Sequence, residues 1–481
     1  MKDAAPDWLR PARPWAIAHR GASAYAPANT IRAFDIAADL GADFIEVDLR
    51  MTADDVLVAH HDAATPAGTA LADTAFATLR DETAAACARM PALDEVCALA
   101  ARRGLGVYAD VKDARAAVPA ARKLAEHGIA RGVIGAFEPA AVEALEAAGA
   151  PYPRAVLVPL GADPFAHAAG ADIVHLCWER MERPQDAVTP EMIAEAERRG
   201  QVLALWHEED PARMAALREL PVFGICSDMP ELVHPFRAPA AWPVRTVAHR
   251  GANTVAPENT LPAGRCAFAA GFDVLELDVH QAADGTVVVL HDDTLDRTTD
   301  GTGPVAAQGW EALARLDAGG WFSAHYRGTS LPRLSDMLAL GRDWGRGIYV
   351  EIKEAEPAAV LSEVEAAGML AETFFWDHRP ARLDALRALS PEVRIMARRQ
   401  DFATLEETMR AHGGPALIEY MPGDDWSDFE TVRAAGIPVM ICYMGRDPQV
   451  MDRVIAARPD IVNIDDIFLL RRRLRAAGLA P

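Results

Sequence analysis

The chain has 481 residues, 51% apolar and 25% charged, with 70 acidic against 48 basic side chains and a formal net charge of −22. That balance excludes a basic nucleic-acid binder and requires any anionic ligand to be met by a local cationic site. No window approaches the roughly 20 apolar residues of a membrane span, so no stable membrane insertion is expected. Met1–Trp15 has no apolar stretch of signal-peptide length, and the six cysteines lack CxxC spacing, which fits a reduced, cytoplasmic setting. Composition does not specify an oligomeric state.

In chain order, the first half shows eight short apolar runs: Trp15–Ala18, Phe44–Val47, Gly106–Ala109, Gly132–Ala136, Ala155–Val158, Asp172–Leu176, Val202–Trp206 and Gly224–Cys226. Ala-, Leu- and Glu-rich segments such as Pro139–Ala148 and Pro190–Arg199 lie between them, with apolar residues at helical spacing. Eight alternations in about 235 residues predict a parallel α/β barrel. An open doubly wound sheet is the alternative, but the first strand is not followed by the glycine-rich turn of that fold.

The second half repeats the first. Ala18–Asp62 aligns without a gap on Ala248–Asp292, with about 20 of 45 positions identical. Pro91-Ala-Leu-Asp and Tyr108–Lys112 then match Pro332-Arg-Leu-Ser and Tyr349–Lys353, so the second copy carries 11 extra residues between its His-Asp and Pro-x-Leu steps. The fold expected is two tandem TIM (β/α)8 barrels, residues 1–235 and 242–481, joined by the Pro- and Ala-rich link His234–Trp242.

Polar residues directly after apolar runs fall where a parallel barrel places its active groups. In the second copy these are His249, Arg250 and Gly251, then Glu276 and Asp278, then His291 after the short run Val287–Leu290, then Glu351 and Lys353. Three carboxylates, Glu276, Asp278 and Glu351, suit a hard divalent ion, Mg²⁺ or Ca²⁺, rather than zinc. The Glu-x-Asp spacing turns two of them to one face of a strand. Arg250 and Lys353 add positive charge for an anion, while His249 and His291 supply an acid–base pair near neutral pH. The combination describes attack at a phosphodiester.

These residues, with Pro257-Glu-Asn-Thr260, His291-Asp292, Asp296-Arg-Thr-Thr299, Leu316-Asp-Ala-Gly-Gly-Trp-Phe322 and Glu351-Ile-Lys353, resemble the glycerophosphodiester phosphodiesterase family over about Arg245–Asp466. The resemblance implies a metal-dependent barrel hydrolase that releases glycerol 3-phosphate and an alcohol from a small soluble phosphodiester. It places His249 and His291 as the acid–base pair, Glu276, Asp278 and Glu351 at the metal, and Arg250, Lys353, Glu258 and Asn259 on the substrate. Related lyase-type barrels stop at a cyclic phosphate, which is the alternative endpoint.

The first copy keeps His19, Arg20, Glu46, Asp48, His61 and Lys112, but has Ala28 for Glu258 and the shorter Asp110 for Glu351, with nothing matching Arg297-Thr-Thr. By the same correspondence His19 and His61 are its acid–base candidates, Glu46, Asp48 and Asp110 its metal set, and Arg20 and Lys112 its phosphate contacts. Its shorter cover predicts a more open pocket, serving either a weaker or differently specific enzyme or a non-catalytic phosphate-binding scaffold. Trp206-His207 reads as an aromatic wall or as packing, Cys442 as a core thiol, Arg471–Arg475 as a solvated helix face, and Asp228 and Asp465 as contacts to a substrate hydroxyl or, the favoured reading, as caps of the helices that follow them.

Overall fold

Each half of the chain builds its barrel from short strands whose residues are almost all buried, because helices cover one side and the barrel interior fills the other. The computed structural model describes residues 6–178, 181 and 183–479. The chain divides into two compact units, Met1–Pro235 and Phe236–Pro481.

In the first unit the strands are β1 (Trp15–Ala18), β2 (Phe44–Met51), β3 (Leu57–Ala59), β4 (Gly106–Val111), β5 (Gly132–Ala136), β6 (Arg154–Val158), β7 (Ile173–Leu176), β8 (Val202–Leu205) and β9 (Gly224–Ser227). All but β3 run parallel in the order β1-β9-β8-β7-β6-β5-β4-β2, and β1 pairs with β2 to close the ring. The second unit repeats this with β10 (Arg245–Ala248), β11 (Val274–Gln281), β12 (Val287–Val289), β13 (Gly347–Glu354), β14 (Thr373–Trp376), β15 (Arg394–Arg398), β16 (Leu417–Tyr420), β17 (Val439–Tyr443) and β18 (Ile461–Ile464), closed by β10 on β11. Both halves are TIM barrels, as the repeat predicts.

Two features depart from the apolar-run reading. β2 continues to Met51, four residues past the predicted end, since Asp48 is buried inside the barrel rather than ending the strand. The run before each second histidine is not a barrel strand: β3 and β12 fold back antiparallel on β2 and β11, so His61 and His291 sit on a hairpin arm.

In the second unit the segment after that arm packs its own small core. Val288, Leu290, Leu295, Val305, Leu313, Ala318 and Leu331 cluster with Trp310 and Leu316. Tyr326 Oη ties this cover down by donating to Val255 O at 3.0 Å. The first unit has a smaller cluster there, Val58, Leu71, Leu79 and Met90, with Val56 and Phe76. Cys442 is buried as a core thiol, and the helix Ile467–Ala476 buries Leu474 while Arg473 pairs with Asp452. No helix among the described residues is long and apolar enough to cross a membrane.

Candidate active site

The His-Arg-Gly turn after the first strand is built by backbone geometry. Arg250 and Gly251 both take left-handed φ, 56° and 83°. A Cβ on Gly251 would lie 2.8 Å from the Ala263 Cβ, so only glycine fits under the following helix. The turn aims the Arg250 backbone N–H at Glu276 Oε2, 2.6 Å away, and Arg20 repeats this on Glu46 at 2.7 Å. The Pro-x-Asn-Thr step that follows has a similar logic. Thr260 caps the helix Leu261–Ala270, while Asn259, also left-handed at φ 57°, engages Asp278 with both ends of its amide. Asn259 is buried and therefore holds a candidate metal ligand, not the substrate contact expected from sequence. Asn29 does the same for Asp48.

Three carboxylates converge in each barrel. Ligand atoms of Glu276, Asp278 and Glu351 lie within 4.8 Å of one another, as do those of Glu46, Asp48 and Asp110. Burial and the neighbouring carboxylates push Glu276 and Glu46 well above the usual range, and burial raises Asp110 to about 6. Glu276 Oε1, Glu46 Oε1 and Asp110 Oδ1 are buried with no hydrogen-bond partner among the described residues. Crowded, orphaned carboxylate oxygens of this kind fit a hard divalent cation held between them. The predicted cations are beside them: Lys353 Nζ pairs with Glu351 and lies 3.2 Å from Asp278, and Arg250 Nε is 3.4 Å from Asp278. In the first barrel Lys112 contacts Asp110 at 2.6 Å and Asp48 at 3.1 Å, and Arg20 Nε is 3.0 Å from Asp48.

All four candidate histidines face an aspartate through Nδ1: His19 to Asp228 at 2.7 Å, His249 to Asp465 at 2.9 Å, His61 to Asp62 and His291 to Asp292 both at 2.7 Å. Against the opposing effect of burial, Lys353 and Arg250 hold Asp278 below the usual carboxylate range, and Lys112 and Arg20 do the same for Asp48. Asp228 and Asp465 are therefore not the caps the sequence suggests; the helix Ile467–Ala476 is capped by Asp466. Glu258 is likewise not free to meet substrate. It bridges Arg250, at 3.0 Å, and Arg297, which also forks onto Asp292 and drives that carboxyl down. The first barrel, with Ala28 at this position, leaves Asp62 exposed and His61 43% accessible at its side chain.

The far wall differs most between the copies, and sequence inspection missed it. In the second barrel Arg398 lies over the Trp376 ring, 3.3 Å from its centroid, bonds buried Glu419 at 2.5 Å, and approaches Glu351 at 3.7 Å. By strand register the first barrel has Gly135, Leu157 and His175 at the positions of Trp376, Arg398 and Glu419. There Tyr108 Oη bonds His175 Nδ1 at 2.7 Å, and Leu157, Cys177 and Trp206 make an apolar cluster. Trp206 packs edge-on against His19, and His207 stacks on His19 at 4.9 Å with 14° between planes. His19 Nδ1 meets Asp228 while His207 Nδ1 meets Glu209 at 3.0 Å, so the two stacked rings are each held by a separate carboxylate.

The family model described as glycerophosphoryl diester phosphodiesterase matches residues 19–232 and again 249–467. A glycerophosphodiester phosphodiesterase of Caldanaerobacter subterraneus is 41% identical over 107 residues, 22% of this chain and 44% of that protein. A glycerophosphodiester phosphodiesterase crystal structure from Agrobacterium tumefaciens is 36% identical, covering 48% of this chain and 99% of its own, with a TM-score of 0.45. An Oleispira antarctica phosphodiesterase in complex with the product sn-glycerol-3-phosphate is 25% identical, covering 48% of this chain and 96% of its own, also with a TM-score of 0.45. The chain spans about half the length of the curated relatives it matches. With both barrels matched over nearly their full extent, the chain belongs to the glycerophosphoryl diester phosphodiesterase family, as a tandem duplication of its domain.

Proposed function

We propose that this protein hydrolyses glycerophosphodiesters to glycerol 3-phosphate and an alcohol, with its main site in the C-terminal barrel, residues 242–481. The observation that carries this is the convergence of three carboxylates, buried Glu276 and Asp278 and half-buried Glu351, with Arg250, Lys353 and two aspartate-paired histidines at one mouth. Glu276, Asp278 and Glu351 would hold Mg²⁺ or Ca²⁺, which when bound would offset negative charge developing on the phosphate. Arg250 and Lys353 draw the phosphate in. One imidazole takes the proton of the attacking nucleophile, either water itself or a glycerol hydroxyl whose cyclic phosphate is then opened by water, and the other delivers a proton to the departing alkoxide as the phosphorus–oxygen bond breaks. In the N-terminal barrel, residues 1–235, Glu46, Asp48 and Asp110 would hold the cation, with His19 and His61 beside Arg20 and Lys112. Its exposed His61 and shorter cover favour lower activity or another alcohol. Reaction takes place in the cytoplasm on small soluble diesters.

His249→Ala and Glu276→Ala should each abolish glycerophosphodiester cleavage while the circular dichroism spectrum is preserved. Near-wild-type turnover in either variant refutes the assignment. ³¹P NMR of the products distinguishes glycerol 3-phosphate from a cyclic phosphate endpoint.

A further inference from the structure

Strand register brings the first and last barrel strands together so that one histidine meets one aspartate. β1 pairs with β9 with Ala18 opposite Ser227, and β10 pairs with β18 with Ala248 opposite Ile464. The next residue on each strand is His19 against Asp228 and His249 against Asp465. We infer that Asp465 is the positioning residue for His249, and Asp228 for His19, fixing each ring so that Nε2 is the nitrogen presented to the reaction.

Three observations support this assignment. An ionised carboxylate only accepts hydrogen bonds, so a ring whose Nδ1 faces it carries its proton there, leaving the lone pair on Nε2. In the first barrel His19 Nε2 is buried with no hydrogen-bond partner among the described residues, as expected of a nitrogen reserved for a ligand. The brace behind the pair is built twice with different chemistry. Asn253 Nδ2 donates to the His249 carbonyl at 2.9 Å and to Asp465 Oδ1 at 2.6 Å. Ser23 Oγ, at the equivalent position, makes the same two bonds to the His19 carbonyl at 2.9 Å and to Asp228 Oδ1 at 2.6 Å. The same locked geometry reached by a hydroxyl in one copy and an amide in the other marks the histidine–aspartate pair as the element being held. A helix cap gives no reason for either brace.

The inference rests on the reading of His249 as an acid–base group, and the experiment separates the two. Full-length protein is compared as wild type, His249→Ala, Asp465→Ala, Asp465→Asn and Asn253→Ala, using glycerophosphocholine turnover and ¹⁵N-histidine NMR, with the His249 signals identified by their loss in His249→Ala. Asp465→Ala should lower kcat on the order of 100-fold with KM within about threefold, and remove the Nδ1–H signature of His249. Asp465→Asn offers an NH2 donor beside its oxygen and no longer obliges Nδ1 to carry the proton, so it should lose kcat to at least a similar extent and remove or weaken that signature, with Asn253→Ala between Asp465→Ala and the wild type. An active His249→Ala overturns the acid–base reading itself. An inactive His249→Ala together with Asp465→Ala within about threefold of wild-type kcat, or with Asp465→Asn as active as the wild type, overturns the positioning role alone.

Discussion

Glu231, in the N-terminal barrel, is fully buried, accepts a hydrogen bond from Tyr25 Oη, and has its carboxyl raised by burial to about 7 from the usual 4.5. At acid pH both the folded and unfolded chains carry this carboxyl protonated. As pH rises through about 4.5 the unfolded chain loses the proton while the folded chain keeps it, so stability falls until the folded carboxyl also ionises near 7. At about 1.36 kcal/mol per pKa unit, the loss accumulated by pH 8 is on the order of 3 kcal/mol. Glu231→Gln keeps an acceptor for Tyr25 but cannot ionise. It should match the wild type near pH 4 and exceed it by about 3 kcal/mol at pH 8, which is roughly 6–12 °C in the melting temperature of a barrel this size. The assay is urea and thermal unfolding of both proteins across pH 4–8, followed by tryptophan fluorescence and circular dichroism, reading the difference between variant and wild type. A variant that is equally or less stable than wild type at pH 8, or a difference that does not grow with pH, refutes the reasoning.

Arg398→Leu, copying the first barrel, leaves buried Glu419 without its cation and should destabilise the C-terminal barrel by about 3 kcal/mol, with most of that restored by adding Glu419→Gln; urea unfolding of the single and double variants checks it. A divalent cation at about 100 times its Kd should stabilise the wild-type C-terminal barrel by about 2.7 kcal/mol, a gain lost in Glu276→Gln, whose metal-free form should in turn melt above the metal-free wild type because the carboxylate crowding is relieved. Gly251→Ala, forced into φ 83° against Ala263, should cost more than about 2 kcal/mol by the same unfolding measurements.

The strands that position the site were legible because parallel barrel strands are apolar on both faces, and the repeat allowed each half to confirm the other. The limit of that signal is visible at β2. Periodicity ends the strand at Val47, yet Glu46 and Asp48 are buried and the chain stays extended to Met51, because a cluster of carboxylates inside the barrel mouth breaks the rule that charge marks a strand end. Glu276, Asp278, Glu351, Arg250 and Lys353 were recognisable from residue type and spacing, since local chemistry is enough to nominate them. Asp465, Arg398 and Glu419 were not. Their roles depend on which strands are neighbours and in what register, and Asp465 lies 216 residues from the histidine it holds. Glu258 and Asn259 were visible as a motif, but their partners, set by the fold, were not: one bridges two arginines and the other faces a carboxylate.

Because each barrel's first strand leads into its histidine and its last strand into that histidine's aspartate, neither half can lose its first or its last strand without separating the pair. A copied fragment lacking the eighth strand would have carried a loose imidazole, and one lacking the first strand an aspartate with nothing to hold. The complete barrel is therefore the smallest piece that keeps the pair; the second half has 11 extra residues in its cover, yet the seam still closes, over 209 residues in one half and 216 in the other.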